Sequence, residues 1–381
     1  MPEPPARRRL LHVFPGFDVG GVQLRIASVM NRFPDRYSHS VAAMNGRFDC
    51  LDRVDDRADV TAVELAFAKG RSADTFCRIR RHILQTQPDM LITYNWGSIE
   101  WALVNRLFTR LPHLHMESGF GPEEADCQLR RRVHLRRFAL ARTPQVVVPS
   151  LNLLRIARTV WKLPADRLLY VPNGVDIDKF SGPPDPSIRP AGWPADALVI
   201  GTVAPLRPEK NLPRLVRAFA EIAKSRNIRL LLVGDGPERQ ALEEQVRAGG
   251  IAEKVHFAGY LDAPEKAFGL MDIYALSSDT EQMPNALIQA MAAGRPVAGT
   301  DVGDVAHIVA PENRAFIAAA DDAAFRVVLD RLAGDPAALP AIGRANLRRV
   351  REQFDQERMF DAYRMLFDGG RPAQPLTDLA A

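Results

Sequence analysis

Short apolar runs followed by a polar or glycine-rich turn and then a stretch of helical spacing recur along most of the chain. This rhythm constrains the fold more than any single residue does. Runs at 10–14, 39–44, 60–63, 90–94, 113–116 and 146–149 alternate with helical stretches such as 75–87 and 99–108. Runs at 197–203, 229–233, 255–260 and 272–276 alternate with 212–223 and 238–248, and residues 323–332 and 336–353 have helical spacing. Parallel strands need a crossover between neighbours, and a helix supplies it, so the pattern predicts α/β architecture with parallel sheets. At 381 residues the chain exceeds one typical core and suits two domains. Pro183, Pro184, Pro186, Pro190 and Pro194 punctuate the middle of the chain and mark the expected boundary there.

In open parallel sheets, ligands collect outside the carboxyl ends of the strands. Three loops in the first half fall there. Gly20 and Gly21 follow the first strand and open a helix, an arrangement that suits phosphate and equally suits a plain chain reversal. Asn95 follows the strand at 90–94, and Glu117 and Ser118 follow the strand at 113–116. Glu117 has two open readings: it holds a hydroxyl of a ligand, or it caps the segment that follows.

Composition excludes several function classes. No apolar run reaches the ~18 residues of a membrane span. Arg7, Arg8 and Arg9 precede an apolar stretch shorter than the ~7–15 residues of a signal-peptide core. Cys50, Cys77 and Cys127 are far apart with no C-x-x-C, which speaks for a reducing cytoplasm and against disulfides or zinc. Charge is uneven: residues 1–180 carry 27 Lys and Arg against 19 Asp and Glu, while the remainder carries 23 against 27. The most basic stretch, 128–142, interleaves six arginines with Leu129, Val133, Leu135, Phe138 and Leu140. It reads either as a solvated surface helix or as an amphipathic helix for an anionic membrane surface. No nucleic-acid module accompanies it.

The densest chemistry lies at 277–303. A small polar loop carries Glu281, and Pro284 opens an apolar helix that Gly294 closes, the N-terminal-Pro, C-terminal-Gly asymmetry of a short helix. Pro284-Asn285-Ala286-Leu287, Ala290-Met291-Ala292-Ala293-Gly294, Pro296-Val297 and Thr300-Asp301-Val302-Gly303 follow at fixed spacing. The stretch resembles the signature of glycosyltransferase family 4, retaining enzymes of the GT-B fold, in which two Rossmann-like domains face each other across a cleft. The family places a second acid eight residues after Glu281; here that position is Gln289. Asn173-Gly174-Val175-Asp176 with Phe180, and Gly234-Asp235-Gly236-Pro237, also match the family, as does Lys210 in a G-R-L-x-x-E-K-like segment. In that segment Pro205 replaces the usual arginine and Arg207 follows two residues later. Ser118 stands where a histidine is common.

The resemblance implies an acceptor domain over 1–180, a proline-rich linker over 181–195 and a donor domain over 196–353. A crossover helix over 354–368 returning to the first domain, and a tail over 369–381, complete the expected plan. It implies transfer of a sugar from a nucleoside-diphosphate donor to an acceptor hydroxyl, as in cell-envelope glycolipid or polysaccharide synthesis, with no metal and no cofactor beyond the donor. Lys210 and Arg207 would grip the diphosphate and Glu281 the sugar hydroxyls. Gly20, Gly21, Gly234, Gly236, Met283, Asn285, Ala286 and Gln289 would line the donor, and Asn95, Glu117 and Ser118 the acceptor. Asp176-x-Asp178 looks like a metal motif, but in the family this segment connects domains. The expected partners are a nucleotide-sugar, a glycolipid or saccharide acceptor and an anionic membrane surface through 128–142, at the cytoplasmic face. The competing reading is a nucleotide-sugar-binding protein of the same fold without transferase activity, supported by Pro205, Gln289 and Ser118 together.

Overall fold

The computed structural model describes residues 7–65, 73–120, 124 and 127–373. The chain divides into two compact units, residues 1–172 with 359–381, and residues 173–358.

The first unit is built on β1 (Arg8–Phe14), α1 (Gly21–Arg32), β2 (Tyr37–Ala43), β3 (Asp59–Val63), α2 (Ala73–Thr86), β4 (Met90–Tyr94) and α3 (Ile99–Val104). β5 (His113–Met116), α4 (Arg130–Leu140), β6 (Gln145–Val148), α5 (Leu151–Thr159) and β7 (Leu168–Tyr170) complete its first pass of chain. Its seven strands are ordered β3-β2-β1-β4-β5-β6-β7, and every neighbouring pair is parallel. The second unit has α6 (Ile177–Ser181), β8 (Leu198–Val203), α7 (Leu212–Ile222), β9 (Ile228–Val233), α8 (Arg239–Ala248), β10 (Val255–Gly259) and α9 (Glu265–Phe268). It continues through β11 (Ile273–Leu276), α10 (Asn285–Ala292), β12 (Val297–Thr300), α11 (Val305–Ile308), β13 (Ile317–Ala318), α12 (Asp322–Ala333) and α13 (Leu339–Gln353). Its sheet is ordered β10-β9-β8-β11-β12-β13, again all parallel. Both orders run outward from the first strand, return to it, and leave in the opposite direction, the doubly wound Rossmann-like topology. The strand order therefore reverses beside β1 and β4 in one unit and beside β8 and β11 in the other.

The sheets are sealed as this topology demands. The inner strands such as β4, β9 and β11 are near-continuous apolar runs because both faces are covered, while the edge strands β3 and β10 are only partly buried. α7 shows the helical counterpart: Leu212, Leu215, Val216, Phe219 and Ile222 are buried against the sheet. The last helix, α14 (Gln356–Phe367), sends Met359, Phe360, Tyr363, Leu366 and Phe367 into the same core as Leu10, Phe14 and Ile92. The first unit is thus completed by the end of the chain.

The division between units falls after Pro172, not at 180, and residues 181–195 do not behave as a free linker. Trp193 is buried in the core of the second unit with Phe180 and Phe268, and the Asp185 amide donates to the Lys266 carbonyl. Prolines here fix a chain that packs, so composition alone read as a linker what the fold uses as a surface strap. Val175 pairs with Asp355 in a parallel bridge, joined by hydrogen bonds of 2.8 and 3.1 Å from the Val175 and Gln356 amides. No helix among the described residues is long and apolar enough to cross a membrane.

Candidate active site

In the second unit the loop after β8 and the loop after β11 leave adjacent strands at the point where the sheet order reverses. They carry Lys210 and Glu281, and the fold brings the two together: Lys210 Nζ donates to Glu281 Oε1 at 2.6 Å. Ser278 Oγ donates to the same oxygen at 2.8 Å. The side chains are 21% and 10% exposed, so the charges are largely sheltered while still open at one side. The Glu281 charge also reaches Tyr274, fully buried behind it, whose phenol burial and then that carboxylate push upward.

The two loops are clamped by Arg214, which no motif marks, and by residues of the motif segments themselves. Arg214 is 5% exposed and donates from Nη1 to the Ser277 carbonyl at 2.8 Å, with Asp279 and Asp322 as ion-pair partners. Asn211, in the left-handed region at φ 41°, caps α7 and donates to Asp279. Ser277 Oγ donates to the Lys210 carbonyl, and Thr300 Oγ1 to the Ser278 carbonyl at 2.6 Å. Gly303, at φ 56°, lies against the loop so closely that a Cβ there would stand 2.3 Å from the Glu281 carbonyl oxygen. The Thr-Asp-Val-Gly motif is thus the floor on which Glu281 rests.

The Gly234-Asp235-Gly236-Pro237 turn has a similar explanation. A Cβ on Gly234 would stand 1.9 Å from the Ala204 carbonyl oxygen, and one on Gly236 would stand 2.5 Å from that of Leu206. Both glycines let the turn zip against the loop after β8, with the Leu206 amide donating to Asp235 and the Glu238 amide to Leu206. Arg207 is exposed on that loop and makes no side-chain hydrogen bond or ion pair among the described residues.

At α10 the start is anchored: Asn285 Oδ1 accepts from Asn173 Nδ2 at 2.8 Å, and Met283 is buried with its sulfur 3.1 Å from the Asn173 amide. Asn173 of the Asn-Gly-Val-Asp match therefore serves to hold the Met283–Asn285 turn. Leu287, Ile288, Ala290 and Met291 are buried, leaving Asn285, Ala286 and Gln289 half-buried on the other side. The helix closes with Gly294 at φ 69° and an Arg295 amide bond back to the Ala290 carbonyl, a Schellman ending. The Gln289 amide makes no side-chain hydrogen bond among the described residues.

In the first unit Gly20 caps α1 and Gly21 begins it, at the carboxyl end of β1. Asn95 takes φ 54° just after β4, and its Oδ1 accepts the Ser118 amide at 2.8 Å, tying the two loops beside the order reversal. Ser118 Oγ in turn accepts from Arg25 Nη2 at 3.0 Å. Glu117 caps nothing: it is wholly buried, 3.5 Å from Arg136 Nε and 3.9 Å from His115 Nε2, and neither oxygen has a hydrogen-bond partner among the described residues.

The 128–142 stretch is helical over Arg130–Leu140, but half of its arginines serve the fold. Arg136 is 1% exposed, binds both oxygens of Glu124 and lies among Trp96, Phe120 and Trp161. Arg132 also reaches Glu124, and Arg137 donates to the Val160 and Trp161 carbonyls. As a uniformly basic face the helix does not exist; Arg130 and Arg131 are its exposed cations. Asp176 is the N-cap of α6, accepting the Lys179 amide.

The chain matches two family models in tandem: "Glycosyltransferase Family 4" over residues 19–179 and "Glycosyl transferases group 1" over residues 197–335. A 2-deoxystreptamine N-acetyl-D-glucosaminyltransferase of Streptomyces fradiae is 30% identical over 63% of this chain and 59% of its own length. The lipopolysaccharide core biosynthesis glycosyltransferase LpsD of Rhizobium meliloti is 29% identical over 46% of this chain and 51% of its own length. The matched stretch thus spans roughly half to three-fifths of those relatives. The Anabaena HepE structure in complex with UDP superimposes with a TM-score of 0.79 at 17% identity, covering 95% of this chain and all of that one. Two adjoining family matches on two Rossmann-like units show that the chain belongs to the glycosyltransferases of the family 4 and group 1 type.

Proposed function

We propose that the protein transfers a sugar, with retention of configuration, from a nucleoside-diphosphate donor to an acceptor hydroxyl in cell-envelope glycolipid or polysaccharide synthesis. The observation that carries this reading is the Glu281 carboxylate held between Lys210 and Ser278 on two loops clamped by Arg214 and Gly303. A preorganised carboxylate accepts sugar hydroxyl hydrogen bonds without reorganising as positive charge develops on the ring, and an adjacent ammonium offsets charge on a departing diphosphate. Arg207, exposed on the loop of Lys210, adds a second cation. Asn285, Ala286 and Gln289 present the half-buried side of α10 to the donor. Gln289 replaces charge-assisted binding of a ribose diol with neutral amide hydrogen bonds. The reading assigns no metal, gives Asn95 and Ser118 to the acceptor, and places the protein at the cytoplasmic face of a membrane, with Arg130 and Arg131 as peripheral contacts. The relatives' names, which give lipopolysaccharide core biosynthesis and 2-deoxystreptamine, support a polyhydroxylated acceptor.

A thermal-shift screen of the whole chain against UDP-, GDP- and ADP-sugars tests the donor assignment. One donor at ~100 Kd is expected to stabilise by about 2.7 kcal/mol. Donor binding with neither transfer nor hydrolysis in the presence of lipid and saccharide acceptor mixtures would favour the binding-protein reading, and stabilisation by no donor would overturn both.

A further inference from the structure

On the first unit, the connections that enter β5 and β6 enclose a pocket of about 530 Å³. It opens where those strands begin, whereas Asn95, Glu117 and Ser118 stand where β4 and β5 end. Four-residue strands at ~3.3 Å per residue separate the two edges by about 13 Å. The pocket is thus unrelated to the loops at the order reversal.

Its lining is unusual in charge. Arg106, Arg110 and Arg142 contribute three cations and no acidic residue lines it; Leu111, Pro112, Ala139 and Pro144 supply apolar wall. Among the described residues none of the three arginines has a carboxylate within ion-pair distance, although most arginines of α4 do find protein partners. Arg106 Nη1 is buried without a hydrogen-bond partner, and its guanidinium lies 4.0 Å from the Phe138 ring centroid. Burial, and then the like charge of Arg142, both push the Arg106 guanidinium below its ordinary value. His113 in the floor adds no charge: its ring nitrogens are taken by Thr93 and Thr143, and burial holds it down to about 3.

The backbone is shaped to keep the arginines there. α3 widens into a π turn at Asn105–Thr109, with Asn105 Oδ1 accepting from Thr109 Oγ1 and from the Leu111 amide. Arg110 then takes the left-handed region at φ 55°, a conformation a non-glycine residue adopts at some cost. Isolated π turns and such backbone outliers gather at functional sites. Leu107 and Phe108 on the same turn, and Phe138 against the Arg106 guanidinium, are 47%, 54% and 47% exposed, apolar surface close in sequence to the pocket-lining arginines.

We propose that this pocket is a second binding site, for a phosphate-bearing ligand: a soluble phosphomonoester, or the phosphate of an anionic lipid headgroup, for whose chains the exposed Leu107, Phe108 and Phe138 offer apolar surface. Guanidinium forks match phosphate oxygens in pairs, and a concave site of a few hundred Å³ suits a small ligand. An anion there relieves the repulsion between arginines that no protein carboxylate offsets. The proposal adds Arg142, the last residue of the 128–142 stretch, to the exposed cations Arg130 and Arg131, and stands apart from the transfer reading.

The test uses the full chain, sn-glycerol 3-phosphate in titration calorimetry, and phosphatidylglycerol against phosphatidylcholine vesicles in co-sedimentation. The wild type is expected to bind glycerol 3-phosphate, phosphatidylglycerol vesicles, or both; the first alone assigns the soluble source and the second alone the lipid. The triple variant Arg106→Gln, Arg110→Gln, Arg142→Gln is expected to weaken that binding roughly tenfold or more. The triple Arg→Lys variant is expected to lie between, because it keeps charge and loses the fork. Arg130→Gln with Arg131→Gln is expected to keep glycerol 3-phosphate binding, and Arg142→Gln alone to leave Tm unchanged or raised. Wild-type chain that binds neither probe, or a correctly folded triple Gln variant that binds as the wild type does, overturns the proposal. Donor-induced thermal shift, read in parallel, reports on the transfer reading independently.

Discussion

Charged residues near the strand ends of the first unit are turned inward and spent on one another. Arg136 ties Glu124 and lies beside Glu117, all at 2% exposure or less. His12 bonds His39 and Tyr94, and Thr93 bridges His113 and His115. In the second unit the same topology turns its ionic pair outward: Lys210 and Glu281 keep one side open while Arg214 and backbone contacts fix them from behind. The comparison teaches that a doubly wound sheet leaves the placement of charge free. At the carboxyl ends of the strands, one unit uses charge as internal framework and the other as a presented site, so equal substitutions there should have unequal consequences.

The largest expected effect lies in the first unit. Arg136→Met leaves Glu117 buried without its guanidinium and Glu124 with Arg132 alone, and is expected to cost about 3–5 kcal/mol in urea unfolding. Lys210→Met in the second unit should cost less, since Glu281 keeps the Ser278 hydroxyl and an opening to solvent. Equal losses would break the contrast.

Acid sharpens it next. Burial holds His39 down to about 4 and His113 down to about 3, against an ordinary 6.5. The unfolded chain takes up protons below pH 6.5 that the folded unit refuses, so the stability these residues contribute is full above 6.5. It is lost as pH falls through 6.5 toward 4. Each histidine is worth about 1.4 kcal/mol per pH unit in that window. Hydrogen exchange at pH 5 against pH 7.5 should show the first unit loosening before the second. A pH-independent first unit would mean these imidazoles charge without unfolding.

Glu281→Gln is expected to depress single-turnover transfer by roughly ten- to a hundredfold, the ~1.5–3 kcal/mol of one charged hydrogen bond, with nucleotide Kd nearly unchanged. Normal transfer by this variant would remove the assigned role. Smallest, Gln289→Glu is expected to change nucleotide affinity by ~1 kcal/mol or less and leave the sugar step alone; an effect on transfer at constant affinity would move Gln289 from the nucleotide to the sugar.

The strands were legible because each is an apolar run closed by glycine or polar residues, and their observed ends differ from the expected ones by one or two residues. β7 and β13, at three and two residues, are too short for such a run, and Arg155 and Arg158 interrupt the apolar spacing of α5. The π turn after α3 depends on Asn105 bonding forward to Thr109 and Leu111, which periodicity cannot register. At the site, Glu281 and Lys210 were legible because their motifs are dense. Arg214 was not, since an arginine on an amphipathic helix reads as solvated until the carbonyls it reaches are known. Gly303 was legible as a motif residue, while its contact with the Glu281 carbonyl belongs to the packing alone.

The return of α14 to the first unit sets an order on synthesis. Residues 173–358 separate the bulk of that unit from the helix that completes its core. At about 5–20 residues per second the ribosome needs roughly ten to forty seconds to deliver it. During that interval the nascent second unit has all of its strands and can close, while Phe14, Ile26 and Tyr37 still lack the Tyr363 and Phe367 side of their core. A nascent chain stalled near residue 355 should therefore protect the second unit from protease and leave the first one cleavable.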